Sequence, residues 1–385
     1  MKCKLSDICV FRQGKISVDE LNKNTYISTE NMLPNKGGIT EANSLPTVSL
    51  TQEYRKGDVL VSNIRPYFKK IWKAKYDGGC SNDVLVFTAN PNTDKDFLYY
   101  ILANDDFFAY SMATSKGTKM PRGDKSSIMQ YEVPSLNLDL QKRIASILKS
   151  IDDRIELNNV INDNLQEQAR SIFQSWFIDY EPFGGSVPSD WCRATLGQIA
   201  VIKTDSWSPT KNPDVVVEHY SIPSYDEHHY PAFEIASSIK SNKYLLTSDS
   251  VMISKLNPDT KRIWRPICLS GHPVCSTEFI VYEPKKKEQR DYIYSLIDSI
   301  QFLNYLCSHT TGSTNSRQRA APKSTLGFAL YLPPDSIIGD FCQIVTPMYD
   351  LIASNVVENQ SLSKARDYLL PRLMSGELDV SGIGI

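Results

Sequence analysis

The chain repeats itself once, and this internal repeat restricts its possible folds more than any other feature of the sequence. The stretch KGDVLVSNIRPYFKKIWKA (56–74) returns as SDSVMISKLNPDTKRIWRP (248–266). In both copies a run of β-branched and apolar residues ends at a Pro, which predicts a strand followed by a turn. The neighbouring segments recur in the same order, so the sequence predicts one domain that is present twice.

Each copy mixes predicted strands with a Tyr- and Leu-rich helical segment and closes with a long amphipathic segment. This mixture predicts domains of the α/β (α+β) class. A chain of 385 residues has room for two of them. The four predicted parts are a first globular domain (1–135), a central long helix with its exit (136–182), a second globular domain (183–335), and a C-terminal long helix with a tail (336–385).

The two long segments carry residues at the 4-3-4-3 spacing of a coiled-coil seam, from Ile144 to Trp176 and from Phe341 to Leu373. A helix of about 36 residues is ~54 Å long and cannot bury such a seam alone. The nearest equivalent seam is the other one in this chain. A two-fold relation between the halves predicts that the two helices form an antiparallel coiled coil, with the globular domains at opposite ends of a rod.

Two asparagines interrupt each seam near its middle, Asn158 and Asn162 in the first and Asn355 and Asn359 in the second. Polar residues at seam positions lower stability but fix register and partner choice. We predict that the four amides hydrogen-bond one another and set the register; the alternative is that they point sideways into water. Their central position suits a parallel pairing of the helices as well as an antiparallel one.

The composition excludes a uniformly basic surface, because 42 Lys and Arg are balanced by 44 Asp and Glu. Binding to a polyanion therefore needs local clusters of positive charge. The eight cysteines are scattered without a C-x-x-C pair, which favours a reducing, cytoplasmic location. The sequence has no apolar run long enough to span a bilayer and starts without a long apolar signal core, so we expect a soluble protein.

Positive residues cluster in loops at corresponding places in the two copies, around 62–75 and 116–125 in the first and around 255–265 and 313–323 in the second. Lys and Arg neutralise phosphates, and Arg, Asn and Gln also pair with guanine or adenine edges. A charge run alone is commonly just a solvated face, but its recurrence favours nucleic acid. The predicted DNA-contacting residues are Arg65, Lys69, Lys70, Lys73, Lys116, Lys119, Arg122, Lys125, Lys255, Lys261, Arg262, Arg265, Asn315, Arg317, Gln318, Arg319 and Lys323.

The residue types in these loops differ between the copies, whereas the framework around them recurs. A repeat that keeps its core and varies its loops is suited to reading two different half-sites. Two such domains on a rod are expected to place the half-sites at least one duplex turn apart, ~34 Å. Lysines are expected to supply affinity through phosphates, and Arg, Asn or Gln to discriminate bases.

Three stretches of the sequence resemble a known family closely: QKRIASILKSIDDRIELNN (141–159), SIFQSWFIDYEPFGG (171–185) and LLPRLMSGELDV (369–380). They are similar to the helix bodies and helix exits of the specificity subunits of Type I restriction-modification systems. The resemblance covers essentially the whole chain. The second copy departs from the pattern in one place, because DSIIGDFCQI (335–344) lacks the Gln-Lys/Arg-Ile helix start of the first.

The resemblance implies a DNA-reading subunit without catalytic chemistry of its own. It implies two target recognition domains and two antiparallel helices that dock two methyltransferase subunits, with restriction (motor-nuclease) subunits joining them. Such a complex methylates adenine within a bipartite, gapped double-stranded DNA sequence, or cuts unmodified DNA. S-adenosylmethionine, ATP and Mg²⁺ are then expected on the partner subunits, and no cofactor or metal in this chain. The variable loops allow no base-contacting residue to be carried over.

Two other functions fit parts of the sequence. A metal-dependent nuclease could use the D-x-K stretch 259–261 with Asp249, but the matching stretch of the first copy has no acid. The His-containing loop 226–229 could bind a metal, but such a surface loop is more often simply polar, and the trio Cys268, His272 and Cys275 lacks a fourth partner at zinc-like spacing. The sequence contains neither a methyltransferase loop nor an ATP phosphate loop. A coiled-coil adaptor with protein-binding end domains is the remaining alternative, although it has no use for recurring basic loops.

Overall fold

A computed structural model describes residues 2–117, 119–311, 318–380 and 382 of the chain. The chain forms two compact units. Unit 1 comprises Met1–Ile155 and Ser361–Ile385, and unit 2 comprises Glu156–Gln360. Each unit therefore contains one copy of the sequence repeat together with parts of both long helices.

Short strands and short helices alternate along unit 1. Its strands are β1 (Lys2–Lys4), β2 (Cys9–Phe11), β3 (Lys15–Ser17), β4 (Tyr26–Ile27), β5 (Leu50–Tyr54), β6 (Val59–Ser62), β7 (Ile71–Lys73), β8 (Gly78–Cys80), β9 (Val84–Ala89) and β10 (Glu132–Pro134). Its short helices are α1 (Leu5–Ile8), α2 (Lys95–Ala103), α3 (Asp105–Ala113) and α4 (Lys125–Ile128). Helix α5 (Leu138–Phe177) begins in unit 1.

The strands of unit 1 form two larger sheets, in the orders β2-β9-β6-β7 and β3-β5-β8-β4, and a separate β1-β10 pair. All side chains of β6 are buried, so its apolar run packs on both faces. On one face, Val59 packs in a core with Phe97 and Phe107 of the short helices and with Leu148 of α5. On the other face, Leu60 contributes to a second core that belongs to the sheet β3-β5-β8-β4.

Unit 2 repeats this succession of elements. Its strands are β11 (Cys192–Thr195), β12 (Ala200–Lys203), β13 (Ser206–Trp207), β14 (Val216–Tyr220), β15 (Ala232–Ile235), β16 (Lys243–Leu245), β17 (Val251–Ser254), β18 (Ile263–Trp264), β19 (Pro273–Ser276), β20 (Phe279–Pro284), β21 (Thr310–Thr311), β22 (Arg319–Ala320) and β23 (Ala329–Leu332). Its helices are α6 (Leu196–Ile199), α7 (Ile222–His228), α8 (Arg290–Asp298), α9 (Ile300–Ser308) and α10 (Pro322–Thr325), and α11 (Asp335–Ser375) begins in it.

The sheets of unit 2 have the strand order of those in unit 1, with β15 added at one edge of the second sheet. Their orders are β12-β20-β17-β18 and β13-β16-β19-β14-β15, with a β11-β23 pair. In both units the second sheet contains one parallel pairing, β4 with β8 and β14 with β19. The shared strand order confirms the predicted tandem repeat and the α/β (α+β) class.

The two long helices run antiparallel within each unit. In unit 2, Asn158 of α5 bonds to Asn359 of α11, and Asn162 accepts a hydrogen bond from Asn355, so residue numbers rise in one helix as they fall in the other. In unit 1, the α5 residues Ile144 and Leu148 share a core with Leu370 and Leu373 of α11. The prediction of an antiparallel pair is confirmed, and the parallel alternative is wrong.

Helices α5 and α11 contain 40 and 41 residues, close to the predicted length. Among the described residues, no helix combines the length and the apolar character needed to cross a bilayer.

Candidate nucleic-acid interface

The two predicted loops of unit 1 lie side by side. We call the segment that follows β6 (62–75) the turn loop and the segment before α4 (116–125) the bridge loop. The Arg65 backbone N–H donates to the carbonyl oxygen of Pro121 at 2.8 Å, and the Gly123 N–H donates to that of Asn63 at 3.2 Å. Ile64 also forms an isolated β-bridge with Arg122. Main-chain bonds thus join the two loops into one surface.

Unit 2 joins its loops in the same way. Its turn loop (255–265) follows β17, and its bridge loop (313–323) is described from residue 318 onward. The Asn257 N–H donates to the Gln318 carbonyl oxygen at 2.9 Å, and the Ala320 N–H donates to that of Lys255 at 2.9 Å. Leu256 forms an isolated bridge with Arg319. Corresponding residues of the two copies therefore make corresponding bonds.

A serine at the end of each central strand fixes the entry to the turn loop. The hydroxyls of Ser62 and Ser254 donate to the carbonyl oxygens of Ile64 and Leu256, at 3.1 and 2.9 Å. Both serines are almost fully buried, and such short side chains compete well for nearby backbone groups. The direction in which the chain leaves the strand is consequently the same in both units.

A tight turn with a proline as its second residue follows. The Phe68 N–H donates to the Arg65 carbonyl oxygen at 3.0 Å, and the Thr260 N–H donates to that of Asn257 at 2.9 Å. Arg65 and Asn257 occupy the left-handed region, with φ of 51° and 47°. This conformation costs about 1–3 kcal/mol for most non-glycine residues and is best tolerated by Asn.

The basic run of the unit 1 turn loop is bound largely within the protein. The Lys69 ammonium pairs with Asp105 at the start of α3, at 2.8 Å. Lys73 pairs with Asp96 in the first turn of α2. The Lys70 ammonium donates to a backbone carbonyl oxygen at 2.6 Å, and burial lowers the pKa of Lys70. These three lysines anchor the turn loop to the helices and to a neighbouring backbone segment.

The matching run of unit 2 is bound internally as well. Lys261 pairs with Asp298 at the end of α8, a carboxylate that also pairs with Arg170 of α5 at 2.6 Å. The Arg262 guanidinium makes two hydrogen bonds to Asp226, at 2.6 and 2.9 Å. Asp226 belongs to the His-containing stretch 226–229 considered above as a metal ligand set, and it lies in helix α7, not in a loop.

Arg265 corresponds to Lys73 and is bound by the corresponding acid of the following helix. Its guanidinium donates to both carboxylate oxygens of Asp291, at 2.8 and 3.2 Å, and to Asp350 at 2.7 Å. Burial alone would raise the pKa of Asp291, but hydrogen bonds from Arg265 and Arg290 outweigh it and lower the pKa to about 2. Arg265 is 9 % exposed, which favours a framework role over DNA contact.

The bridge loops each contribute an arginine that pairs with an acid immediately before the next strand. Arg122 lies 3.1 Å from Asp83, which precedes β9, and Arg319 lies 3.0 Å from Glu278, which precedes β20. We did not predict either acid from the sequence. The signal was present, because both acids follow the shared Cys-Ser pair at nearly the same offset.

The remaining described residues of the predicted set are exposed, apart from the half-buried Lys255 and Gln318. Lys119, Lys255 and Lys323 make no side-chain hydrogen bond or ion pair with the described residues. The Lys125 ammonium lies 5.8 Å from the centre of the Phe11 ring. Lys116 pairs with Asp124 at 2.8 Å although its side chain is 80 % exposed, and Gln318 contributes its carbonyl oxygen to the turn loop. Asn315 and Arg317 lie outside the described residues.

The geometry does not favour the nuclease hypothesis. The lysine of the D-x-K stretch, Lys261, is paired with Asp298, and Asp249 pairs with Lys287 at 3.1 Å. In the described ranges, no group of three or more His, Cys, Asp or Glu is arranged to hold a metal ion. Cys268 and Cys275 have pKa values raised by burial, to about 12 for Cys268, so neither is a ready thiolate ligand.

The four predicted seam asparagines form hydrogen bonds across the helix pair of unit 2. Asn158 is 1 % exposed, and its Nδ2 donates to Asn359 Oδ1 at 2.9 Å. Asn355 Nδ2 donates to Asn162 Oδ1, also at 2.9 Å, and Asn359 Nδ2 donates to Asn159 Oδ1 at the same distance. Asn159 was not predicted, because it lies one position outside the apolar spacing.

Comparison with known proteins shows which family has these features. Residues 1–167 match the model of the Type I restriction modification DNA specificity domain. The Type I restriction enzyme MjaIX specificity subunit of Methanocaldococcus jannaschii is 25 % identical over 74 % of this chain and 69 % of its own. Over these residues the chain is similar to the specificity subunits of Type I restriction-modification systems. The HindI specificity subunit of Haemophilus influenzae is 22 % identical over 92 % of this chain and 94 % of its own.

A solved structure shares the fold of this chain over nearly its whole length. The S subunit of the Type I restriction-modification system of M. genitalium superposes with a TM-score of 0.61 at 16 % identity. The match covers 99 % of this chain and 96 % of that one. The architecture of two repeated α/β units with long helices is therefore that of known specificity subunits.

Proposed function

We propose that this chain is the specificity subunit of a Type I restriction-modification system and reads a bipartite, gapped double-stranded DNA sequence, one half-site with each copy of the repeat. The two target recognition domains correspond to 1–135 and 183–335, and the helices with their exits to 136–182 and 336–385. The observation that carries the proposal is the pairing of a turn loop with a bridge loop in both units through equivalent main-chain bonds, from Arg65 to Pro121 and from Asn257 to Gln318. One scaffold with different loop side chains suits two readers of different sequences.

The basic residues divide into two groups in this proposal. Lysines without a partner among the described residues, such as Lys119 and Lys323, supply phosphate contacts and affinity. Internally paired residues such as Lys73 and Arg265 hold the turn loop in place. Arg122 is paired with an acid but remains exposed. Like other members of the bridge loops, it helps to hold the two loops together and lies at the same surface.

In this proposal the two long helices bind the partner subunits. We propose that α5 and α11 dock two methyltransferase subunits, that restriction subunits join these, and that S-adenosylmethionine, ATP and Mg²⁺ act on the partner subunits. The chain itself then supplies sequence recognition rather than catalysis, in the cytoplasm with the DNA. The buried amides of Asn158 and Asn355 fix the register of the helix pair, because a shift along the seam leaves them without partners.

The decisive experiment is to co-express the chain with the adjacent methyltransferase subunit of its own genome and to map adenine methylation by long-read sequencing. We expect one new gapped, two-part motif. A stable complex that produces no new methylation would contradict the proposal. The adaptor and nuclease alternatives are not favoured by the similarity to specificity subunits. Affinity of the complex for DNA should also fall steeply as salt rises, which distinguishes phosphate contacts from the protein contacts of an adaptor.

A further inference from the structure

Arg65 and Asn257 occupy the same structural position in the two units but differ in side chain. Each follows a buried strand, precedes a proline, has a left-handed backbone and donates its N–H to the bridge loop. Each also accepts the hydrogen bond that closes the tight turn. The backbone conformation and its hydrogen bonds are therefore the same at this position in both units, and only the side chain differs.

The backbone alone does not explain an arginine at position 65. The residue before a proline is restricted, and φ of 51° is unfavourable for residues other than Gly, with Asn, Asp and His the best tolerated of the rest. Gly or Asn would meet the conformational requirement better. Strain of this kind persists where the rest of the structure enforces it, and it is concentrated at functional positions.

The side chains of both residues contain a buried polar atom without a partner. Arg65 Nε and Asn257 Oδ1 are inaccessible to solvent and have no hydrogen bond to the described residues. Buried polar atoms are nearly always bonded, so each such atom needs an explanation. The neighbouring Arg122 and Arg319 differ, because carboxylates bind their guanidinium groups. No described residue binds the Arg65 guanidinium either, so both side chains would gain the partners that these atoms lack by turning outward onto a molecule at the surface where the two loops meet.

We propose that Arg65 and Asn257 are the equivalent base-reading residues of the two target recognition domains. Arginine pairs best with the O6 and N7 acceptors of guanine, and asparagine with the N6 donor and N7 acceptor of adenine. The half-site of unit 1 then has a guanine at the position that Arg65 contacts, and the half-site of unit 2 has an adenine at the position of Asn257. This assignment rests on the proposed function and extends it to two named residues and two bases.

Glycine substitutions test the assignment, because glycine keeps the left-handed backbone and removes only the side chain. The complex with the methyltransferase subunit is prepared with the wild-type chain, Arg65→Gly, Asn257→Gly and Asn257→Asp. The last variant keeps the size of the side chain and replaces the donor to adenine N7. Lys23→Ala and Lys211→Ala, exposed residues outside the loops, serve as matched controls for surface changes in units 1 and 2.

Methylation is measured on genomic DNA and on duplexes that differ at one base pair. With Arg65→Gly we expect the motif to become degenerate at one guanine of one half-site, and with either Asn257 variant at one adenine of the other. The preference for the original base pair should fall by about 5- to 150-fold at that position. The controls should retain the wild-type motif.

Each other result has a defined meaning. Wild-type discrimination in both glycine variants overturns the assignment while the gapped motif itself upholds the proposed function. Loss of the complex in the glycine variants also overturns it, because it would reveal a structural role for the side chains. Equal relaxation of both half-sites by one substitution contradicts the pairing of one residue with one half-site. Absence of any gapped motif with the wild-type chain overturns both proposals.

Discussion

Each unit contains an equivalent ion pair, and the two pairs differ mainly in how deeply they are buried. In unit 1, Lys73 pairs with Asp96, and their side chains are 27 % and 29 % exposed. In unit 2, Arg265 pairs with Asp291, and the corresponding values are 9 % and 4 %. Both pairs connect the residue after a buried Trp to the first turn of the following helix. A shared framework contact can therefore contribute very differently to stability in two copies of one fold.

The difference follows from solvation. A half-exposed pair gains little, because water screens the attraction and both side chains lose freedom. The buried pair is not a strong net stabiliser either, but removing one partner leaves an uncompensated charge in a poorly solvated place. Arg265 also bonds to Asp350, and Asp291 also binds Arg290. Unit 2 consequently depends on its charge network more than unit 1 does.

The largest expected effect comes from breaking the pairs one at a time. Asp291→Ala should lower the local unfolding free energy around α8 and β18 by about 3–5 kcal/mol. The matched change Asp96→Ala should lower that around α2 and β7 by about 0.2–1 kcal/mol. Hydrogen exchange of the full chain measures both values separately. Similar losses in the two units would show that burial does not govern these pairs.

A pH series gives a smaller effect of known sign. The pKa of Asp291 is lowered in the folded chain from 3.8 to about 2, so the folded state favours the ionised form. The resulting stabilisation of about 2 kcal/mol is complete above pH 4 and is lost as the pH falls from about 4 towards 2.

Hydrogen exchange of unit 2 should therefore show the stability difference between wild type and Asp291→Ala shrinking over this pH window. The Asp96→Ala variant serves as the matched control. A difference that stays constant down to pH 2 would contradict the role of Asp291 in the acid sensitivity of unit 2.

The sequence predicted the fold better than it predicted individual contacts. Repeated strand and seam patterns are local, and they correctly indicated the tandem α/β units and the paired helices. The basic run around Lys69 and Lys261 suggested DNA contact because the sequence showed its charge but not its partners. Asp105 and Asp298, which bind these two lysines, lie more than thirty residues away. Whether a cation is free depends on such distant pairings, which no spacing rule reveals.

The sequence analysis did not include Asn257 among the predicted DNA-contacting residues. It carries no charge, and its importance depends on a backbone conformation that the sequence indicated only through the following proline. Arg65 was included for its charge, although its left-handed backbone is the more specific feature. A direct alignment of the two copies pairs these residues, so the repeat contained a signal that charge counting overlooked.

The smallest expected effect separates unpaired from paired cations at the loop surface. Removing one phosphate contact lowers the slope of log affinity against log salt by about 0.9 and weakens binding modestly at physiological salt. We expect this change for Lys119→Ala in unit 1 and for Lys323→Ala in unit 2, measured with the methyltransferase complex on its cognate duplex. Lys73→Ala, whose ammonium is bound by Asp96, is the matched control and should leave the slope unchanged. A change of slope for Lys73→Ala equal to that for Lys119→Ala would mean that DNA displaces the internal carboxylate, and the division into framework and contact residues would then be wrong.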